Sequence, residues 1–283
     1  MEPEIKYFTF DSYNYAYRTS SGSTRDIILL HGSAETSYFF WRNFFTEFGD
    51  KYRVVAIDLR GHGNSASPPN GYSAASQANL VMGLINILRL KKPVVIGHSL
   101  GGIIAAKYAI IFPSSLSSLV LYDCPISGNF IHDLKFIFDI PLSVSFPLGL
   151  VSIPTLGKYF FKFRTSKTTQ KLLKDLKVFC DPDEYLTDEM IIEAMKVTYP
   201  GLAKSIRCAI LGGNLMNELN KIQAPTLVIR GEHDILAPKE WMRQVTDSIP
   251  NAILAEIPGA AHLPLIEKPQ EFNSVVENFI SQY

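Results

Sequence analysis

The pattern of apolar and polar positions divides the chain into strand-length and helix-length segments. Two short segments alternate apolar and polar residues, which predicts an antiparallel hairpin, and later apolar runs predict buried strands. The hairpin segments are 5–10 and 13–18, and the strand runs are 27–31, 53–58, 93–98, 116–122, 224–231 and 251–257. Helix-length segments lie between or after them, near 38–48, 74–90, 100–111 and 269–280. This alternation predicts an α/β fold with a mostly parallel central sheet flanked by helices.

The composition changes between residues 125 and 215. Three prolines interrupt the apolar segment 130–163, so this segment predicts short helices rather than one helix that spans a membrane. We expect an inserted, mainly helical lid over residues 125–215, whose apolar side chains either line an acyl pocket or pack against the core. The core is then predicted to comprise residues 1–124 and 216–283.

A serine flanked by glycines follows the strand predicted at 93–98. Gly97 and Gly101 remove side chains from the turn on either side of Ser99, and an apolar helix-length segment comes next. A serine hydroxyl is a poor nucleophile unless it projects from a sharp turn beside a base and backbone N–H groups. The context therefore predicts a nucleophile elbow at Ser99, and we expect His98 to pack or hydrogen-bond behind it.

Candidate acid and base residues follow later in the chain. Asp234 comes after a strand that ends in a glycine turn, and His262 lies on the loop after the last predicted strand. We expect His262 to take the Ser99 proton while Asp234 holds the other ring nitrogen in the correct tautomer. Asp123 ends the strand before the lid and is an alternative acid, but the glycine turn favours Asp234.

The loop after the strand predicted at 27–31 is a candidate for part of an oxyanion hole. Gly32 allows a close approach of the backbone in this loop. We expect the N–H of Leu100 and the N–H of either Ser33 or Ala34 to hold the oxyanion. The sequence leaves the choice between the last two residues open.

These motifs together resemble the α/β-hydrolase superfamily, in particular the compact serine hydrolases that include carboxylesterases, lipases and lactonases. The resemblance covers nearly the whole chain, and its matching segments are 31–32, 58–65, 97–102, 231–234 with Pro238, and 259–262. It implies Ser99 as nucleophile, Asp234 as acid and His262 as base, in the chain order of that fold. Relatives that hydrolyse haloalkanes or epoxides have an aspartate at the nucleophile position, so Ser99 argues against those reactions.

The predicted function is a serine hydrolase that cleaves carboxylic esters with an apolar, short-to-medium acyl chain. Tyr38, Phe39 and Phe40 follow the oxyanion loop closely enough to contact substrate, and Phe130 belongs to the apolar lid segment, so these four residues are candidates for substrate binding. The same triad also serves lactonases, thioesterases, acyltransferases and enzymes that hydrolyse carbon–carbon bonds. The alternative to an enzyme is a small-molecule receptor with this fold that turns its ligand over slowly.

Composition limits the binding partners and the cellular location that we expect for this protein. The 283-residue chain has a formal net charge of zero, which argues against a nucleic-acid partner. The histidines show no metal-ligand spacing, so we predict no catalytic metal and no cofactor. Three cysteines and a first segment without a secretory pattern favour the cytoplasm. A small-molecule acyl substrate is the expected partner, and the basic, aromatic lid edge at 158–167 gives a second interpretation, transient contact with a lipid surface.

Overall fold

One eight-stranded sheet forms the centre of the protein in a computed structural model that describes residues 2–126, 158–159, 161–211 and 215–283. The strands are β1 Lys6–Phe10, β2 Tyr13–Thr19, β3 Asp26–Leu30, β4 Arg53–Ile57, β5 Val94–His98, β6 Leu119–Tyr122, β7 Thr226–Gly231 and β8 Ala252–Ile257. Their order across the sheet is β1-β2-β4-β3-β5-β6-β7-β8. The hairpin of β1 and β2 joins β4 in antiparallel pairing, and the other neighbouring strands pair in parallel. The predicted α/β class with a mostly parallel sheet is confirmed.

Helices cover both faces of this sheet. In chain order they are α1 Arg42–Phe48, α2 Ala74–Leu88, α3 Leu100–Ile111, α4 Ser166–Asp175, α5 Pro182–Tyr185, α6 Asp188–Ala194, α7 Tyr199–Leu211, α8 Lys239–Ser248, α9 Pro264–Glu267 and α10 Pro269–Ile280. A 3-10 helix, Met216–Lys221, precedes β7. Helices α3 and α10 begin and end where the sequence predicts.

Alternate residues of each buried strand pack on opposite faces of the sheet. In β3, Ile28 and Leu30 face the layer that contains α2, α3 and α8. Ile27 and Leu29 face the layer that contains α1 and α10. All four side chains are fully buried, which explains why the strand has a continuous apolar run rather than an alternating one. The two packed layers fix the carboxyl ends of the parallel strands, and the candidate site is built there.

The first helix and the sixth strand begin later than predicted. Residues 37–41 form turns, because Ser37 donates its N–H to Asp58 Oδ1 at 2.7 Å and is therefore tied to a loop after β4. Strand β6 begins at Leu119 rather than at residue 116, although Leu116 is buried. The first of these errors arises from a contact that a local pattern does not report.

The described part of the predicted lid contacts loops at the carboxyl ends of the strands. His262 donates its N–H to the Val178 carbonyl oxygen at 3.1 Å, and Thr198 donates its N–H to the Gly61 carbonyl oxygen at 2.8 Å. These bonds tie segment 161–211 to the loops after β8 and β4. The segment therefore lies beside the edge of the sheet that carries the candidate site.

The lid boundaries at residues 125 and 215 stay a prediction. Phe130 lies outside the described residues, as does the whole segment 127–157. Tyr159 and Phe163 are 67% and 58% exposed at the lid edge, and the lipid-surface interpretation also stays a prediction. Within the part of the chain that the structure describes, we find no helix with the length and apolar character that crossing a bilayer requires.

Replacing Gly101 with alanine is expected to destabilise the fold at the start of α3. A Cβ atom there would lie 2.2 Å from the Leu30 carbonyl oxygen and 2.7 Å from that of His31, and both are backbone atoms. Helix α3 would have to move away from β3, at a cost of about 1–3 kcal/mol by analogy with overpacked cores. Thermal unfolding checks this expectation, and an unchanged melting temperature in Gly101→Ala would contradict the close approach.

Candidate active site

Ser99 occupies a strained turn between β5 and α3. Its φ and ψ angles are 49° and −115°, in a region that non-glycine residues rarely adopt. The turn closes tightly, since a Cβ atom on Gly97 would lie 2.3 Å from the Gly101 carbonyl oxygen. Ser99 donates its N–H to the Tyr122 carbonyl oxygen at 3.1 Å, and its side chain stays partly exposed. The strained turn thus presents the serine hydroxyl at the end of the central strand.

Asp234 and His262 meet across the loops after β7 and β8. His262 Nδ1 lies 2.9 Å from Asp234 Oδ2 in a hydrogen bond, and the exposed fractions of the two side chains are 8% and 0%. Asp234 Oδ1 also accepts the Leu236 N–H at 2.7 Å. With both carboxylate oxygens engaged, the acid holds the ring so that Nε2 is the nitrogen left to accept a proton.

The pKa values of this pair shift in the directions that a base and its acid partner need. Burial opposes the charged form of His262, but the Asp234 carboxylate and its hydrogen bond outweigh burial and raise the His262 pKa. Burial also opposes ionisation of Asp234, but contacts with His262, with Asp123 and with the Leu236 N–H outweigh it and lower the Asp234 pKa. Asp234 therefore remains a carboxylate at neutral pH and can stabilise an imidazolium.

His98 connects the Ser99 turn to the loop that carries His262. Its Nε2 donates to the His262 carbonyl oxygen at 2.9 Å, and the two ring centroids lie 4.8 Å apart. Because Ser99 follows His98 directly, this bond holds the Ser99 turn beside His262. The side chains of Ser99 and His262, both within the described residues, form no direct hydrogen bond, and such contacts commonly tighten when substrate binds.

The loop after β3 lies against the first turn of α3, where the oxyanion donors are predicted. Leu100 is the first residue of α3, so its N–H belongs to the helix N-terminus, where the N–H groups lack partners within the helix. Gly32 donates its own N–H to Glu35 Oε2 at 2.6 Å, and Ala34 has a positive φ of 59°. Ser33 and Ala34 follow Gly32, whose N–H is bonded to Glu35. The structure leaves open which of these two residues would donate its N–H to an oxyanion.

Glu35 is a site residue that the sequence reasoning missed. Its side chain is buried, and Oε1 contacts His98 Nδ1 at 2.7 Å while Oε2 accepts the Gly32 N–H. Burial opposes its ionisation, but His98, His31 and the Gly32 N–H together lower the Glu35 pKa. One carboxylate thereby connects the loop after β3 to His98, the residue before Ser99. The available signal was a glutamate inside an otherwise apolar or small-residue segment directly after the His-Gly turn.

Replacing Glu35 with glutamine is expected to lower kcat for ester hydrolysis about 10- to 100-fold with little change in KM, because small displacements of reacting groups carry costs of that order. The amide cannot contact Gly32 and His98 as a carboxylate does, so the oxyanion loop loses its fixed position. Steady-state kinetics measure the effect, and Glu47→Gln on the exposed face of α1 is the matched control. Wild-type kcat in Glu35→Gln would show that the loop holds its position without this carboxylate.

Asp123, the alternative acid, lies beside the pair but does not bond to the base. The polar side-chain atoms of Asp123, Asp234 and His262 lie within 4.8 Å of one another. Over the described residues, this is the one cluster whose donors could ligate a metal ion. His262 Nδ1 is already bonded to Asp234, however, so the cluster fits proton transfer better than metal ligation.

The candidate substrate-binding residues have different surroundings. Phe39 and Phe40 are buried in an apolar cluster with residues of segment 161–211 and of the loop after β8. The other members of this cluster include Val178, Phe179, Met190, Ile191 and Leu263. Tyr38 packs 6.0 Å from the Phe45 ring, and the Arg18 guanidinium lies 5.1 Å from its centroid. Two of the three described candidates therefore lie where the lid segment meets the core.

Comparison with known proteins finds a matching family model and several similar chains. Residues 27–275 match the model of a family described as "Alpha/beta hydrolase family". The chain is 27% identical over 287 residues to the uncharacterized hydrolase YugF of Bacillus subtilis, covering 98% of this chain and 97% of YugF. It is 25% identical over 279 residues to a 2-hydroxy-6-oxononadienedioate/2-hydroxy-6-oxononatrienedioate hydrolase of Paraburkholderia phymatum, covering 94% and 90% of the two. The crystal structure of a hydrolase from Pseudomonas aeruginosa PA01 superposes with a TM-score of 0.78 at 25% identity, covering 98% of both chains.

Proposed function

Because the chain belongs to the alpha/beta hydrolase family, we propose that it is a serine hydrolase that cleaves small carboxylic esters through an acyl-enzyme. The observation that carries the proposal is the hydrogen bond between His262 and Asp234 beside the strained turn of Ser99. A nucleophile, an oriented base and a buried carboxylate are the parts that this reaction requires.

The reaction follows from these positions. Ser99 Oγ forms a bond to the ester carbonyl carbon while its proton passes to His262 Nε2, and the carbonyl oxygen takes the negative charge. The N–H of Leu100 and that of Ser33 or Ala34 stabilise this oxyanion. Collapse breaks the ester C–O bond, and the leaving alcohol takes the proton from Nε2. Water then attacks the acyl carbon while His262 Nε2 takes its proton; the bond from Ser99 Oγ to the acyl carbon breaks, Nε2 returns the proton to Oγ, and the carboxylic acid leaves.

The proposed acyl group is apolar and of short-to-medium length. Support comes from the apolar composition of segment 130–163 and from Phe39 and Phe40, which pack with apolar residues of the lid segment. Apolar walls with a few convergent polar groups are typical of small-molecule sites. The neutral overall charge likewise matches an uncharged ester better than a polyanion.

Hydrolysis of p-nitrophenyl esters from acetate to palmitate tests the proposal, with Ser99→Ala as the blank. We expect turnover by the wild type that peaks at short-to-medium chains and disappears in Ser99→Ala. A sharp preference for acetate would contradict the apolar acyl pocket. Equal, slow release from both proteins across the series would contradict ester hydrolysis and favour a receptor that binds its ligand without turnover.

Carbon–carbon hydrolysis is a second candidate, because the Paraburkholderia relative is named for a 2-hydroxy-6-oxo dioic acid substrate. The same serine, histidine and aspartate can serve such a reaction. A 2-hydroxy-6-oxo dienoic acid assayed beside the ester series separates the two candidates. A larger kcat/KM for this acid than for any ester would replace the ester assignment while leaving the proposed triad in place.

A further inference from the structure

Asp123 is a buried carboxyl group that the proposed mechanism leaves without a role. It follows β6 in a left-handed conformation with a φ of 46°, and its side chain is fully buried. Its N–H donates to the Ile229 carbonyl oxygen at 2.9 Å, and its Oδ1 accepts the Gly231 N–H at 2.9 Å. Among the described residues, no N–H or hydroxyl group donates a hydrogen bond to Oδ2. A buried oxygen without a hydrogen-bond donor calls for a partner at Oδ2.

The neighbour of Asp123 at this point is Asp234. These two carboxyl groups share the cluster whose polar atoms lie within 4.8 Å of one another. Two adjacent buried carboxylates repel each other strongly, so one of them retains a proton. With that proton in place, the contact between the two groups becomes a hydrogen bond instead of a repulsion.

The hydrogen-bond donors around the pair decide which carboxyl group holds the proton. Asp234 accepts from His262 Nδ1 and from the Leu236 N–H, and both stabilise its anion. Asp123 accepts only the Gly231 N–H among the contacts described. Burial, and then the negative charge of Asp234, raise the Asp123 pKa well above its ordinary value. The titratable and charged groups that face Asp123 are Asp234, His262, Arg230, Cys124 and Tyr122.

Arg230 does not neutralise Asp123 directly. Its guanidinium forms an ion pair with Glu256 on β8, and it donates a further hydrogen bond to the Glu232 carbonyl oxygen at 3.1 Å. Burial also raises the pKa of the Cys124 thiol and that of the Tyr122 hydroxyl, so both groups are neutral at neutral pH. Among the described residues, Arg230 is the cation whose charge lowers the Asp123 pKa, and burial and the negative charge of Asp234 outweigh it.

We propose that Asp123 is a neutral carboxylic acid whose Oδ2–H donates to the Asp234 carboxylate, so that it positions the acid of the proposed triad. The inference rests on the proposed function for its catalytic consequence. The donated bond holds the Asp234 carboxyl group in place and takes up part of its negative charge. Asp234 then holds the His262 ring without removing its Nδ1 proton, which keeps Nε2 as the acceptor.

Two substitutions at Asp123 test whether this residue is a neutral hydrogen-bond donor to Asp234 or a charged neighbour of it. In Asp123→Asn the amide N–H₂ replaces the O–H donor and the amide oxygen still accepts from Gly231, so kcat stays within about threefold of wild type. In Asp123→Ala the donor is lost, and kcat falls about 10- to 100-fold with little change in KM because Asp234 loses its fixed position. Equal losses in both variants would overturn the donor role, and thermal unfolding of each identifies any loss that reflects a failure to fold.

The pH dependence of kcat/KM tests the charge of Asp123, because a change in packing alone would not shift it. Since a neutral group replaces a neutral group, the acid limb of kcat/KM is expected at the same pH in Asp123→Asn and in wild type. If Asp123 were charged, the substitution would remove a negative charge beside His262 and lower the His262 pKa. A shift of the acid limb to lower pH in Asp123→Asn would therefore overturn the proposal.

Infrared difference spectroscopy tests the proton without any substrate. The wild-type protein at neutral pH is expected to show the C=O stretch of a protonated carboxyl group, and Asp123→Asn is expected to lose it. Asp247→Asn, an exposed site on α8, is the matched control and should keep the band. Absence of the band in wild type would overturn the proposal. Presence of the band in a protein that hydrolyses no ester would instead contradict the proposed function alone.

Discussion

Ser99→Ala lowers kcat/KM for ester hydrolysis by about 10⁴-fold or more, a loss of about 5 kcal/mol of transition-state stabilisation. Without Oγ no acyl-enzyme forms, and only the oxyanion donors and substrate binding remain to act on water attack. The fold should be unaffected, because the Ser99 side chain is partly exposed and the structure gives it no hydrogen bond among the described residues. Steady-state hydrolysis of the best p-nitrophenyl ester measures the effect.

Ser274→Ala on the exposed face of α10 is the matched control, since it makes the same chemical change far from the candidate site. It should retain wild-type kinetics, which excludes an effect of handling or purity. Retention of most of the activity in Ser99→Ala would show that the hydrolysis comes from another group or from a contaminating esterase. The nucleophile assignment would then be wrong.

Asp234→Asn lowers kcat by about 10⁴-fold, as expected when a base loses the carboxylate that fixes its tautomer. The amide can donate to His262 Nδ1, which would place the remaining ring proton on Nε2 and prevent it from accepting the Ser99 proton. The residual activity should also have an altered pH profile. Asp234 raises the His262 pKa, so the ring in wild type becomes neutral at a higher pH than it would without this carboxylate.

In Asp234→Asn that influence disappears, the His262 pKa falls, and the acid limb of kcat/KM moves to lower pH. Profiles of log kcat/KM against pH for both proteins check this direction. Asp247→Asn, an exposed aspartate, is the matched control and should leave both kcat and the acid limb unchanged. A kcat near wild type in Asp234→Asn would show that another carboxyl group orients the base.

Much of the fold was predictable because its signals are local. The continuous apolar run in β3 indicates a strand buried on both faces, and the structure buries it completely. Helix α3 ends as predicted at Ile111, before Pro113. The start of α1 was wrong because the Asp58 side chain, from a distant loop, holds the Ser37 N–H. A window of local sequence contains no information about that bond.

The candidate site likewise has features that follow from neighbouring residues and features that depend on residues far apart in the sequence. The turn around Ser99 follows from glycines in its immediate neighbourhood, and the structure gives it the strained backbone that such an elbow needs. The pairing of His98 with Glu35 joins residues from two loops and could not be derived from spacing. Asp123 was considered as an alternative acid, whereas in the structure its carboxyl group lies beside Asp234, and Asp234 is the one that bonds to the His262 ring.

Covalent labelling with a fluorophosphonate tests the central claim most directly, because the reagent traps a nucleophile that a base activates. We expect one adduct per chain, which peptide mass spectrometry assigns to Ser99. Labelling should be absent in Ser99→Ala and much slower in Asp234→Asn, while Ser274→Ala should label like wild type. An adduct on another residue, or equal labelling of Ser99→Ala and wild type, would contradict the assignment of Ser99 as the activated nucleophile.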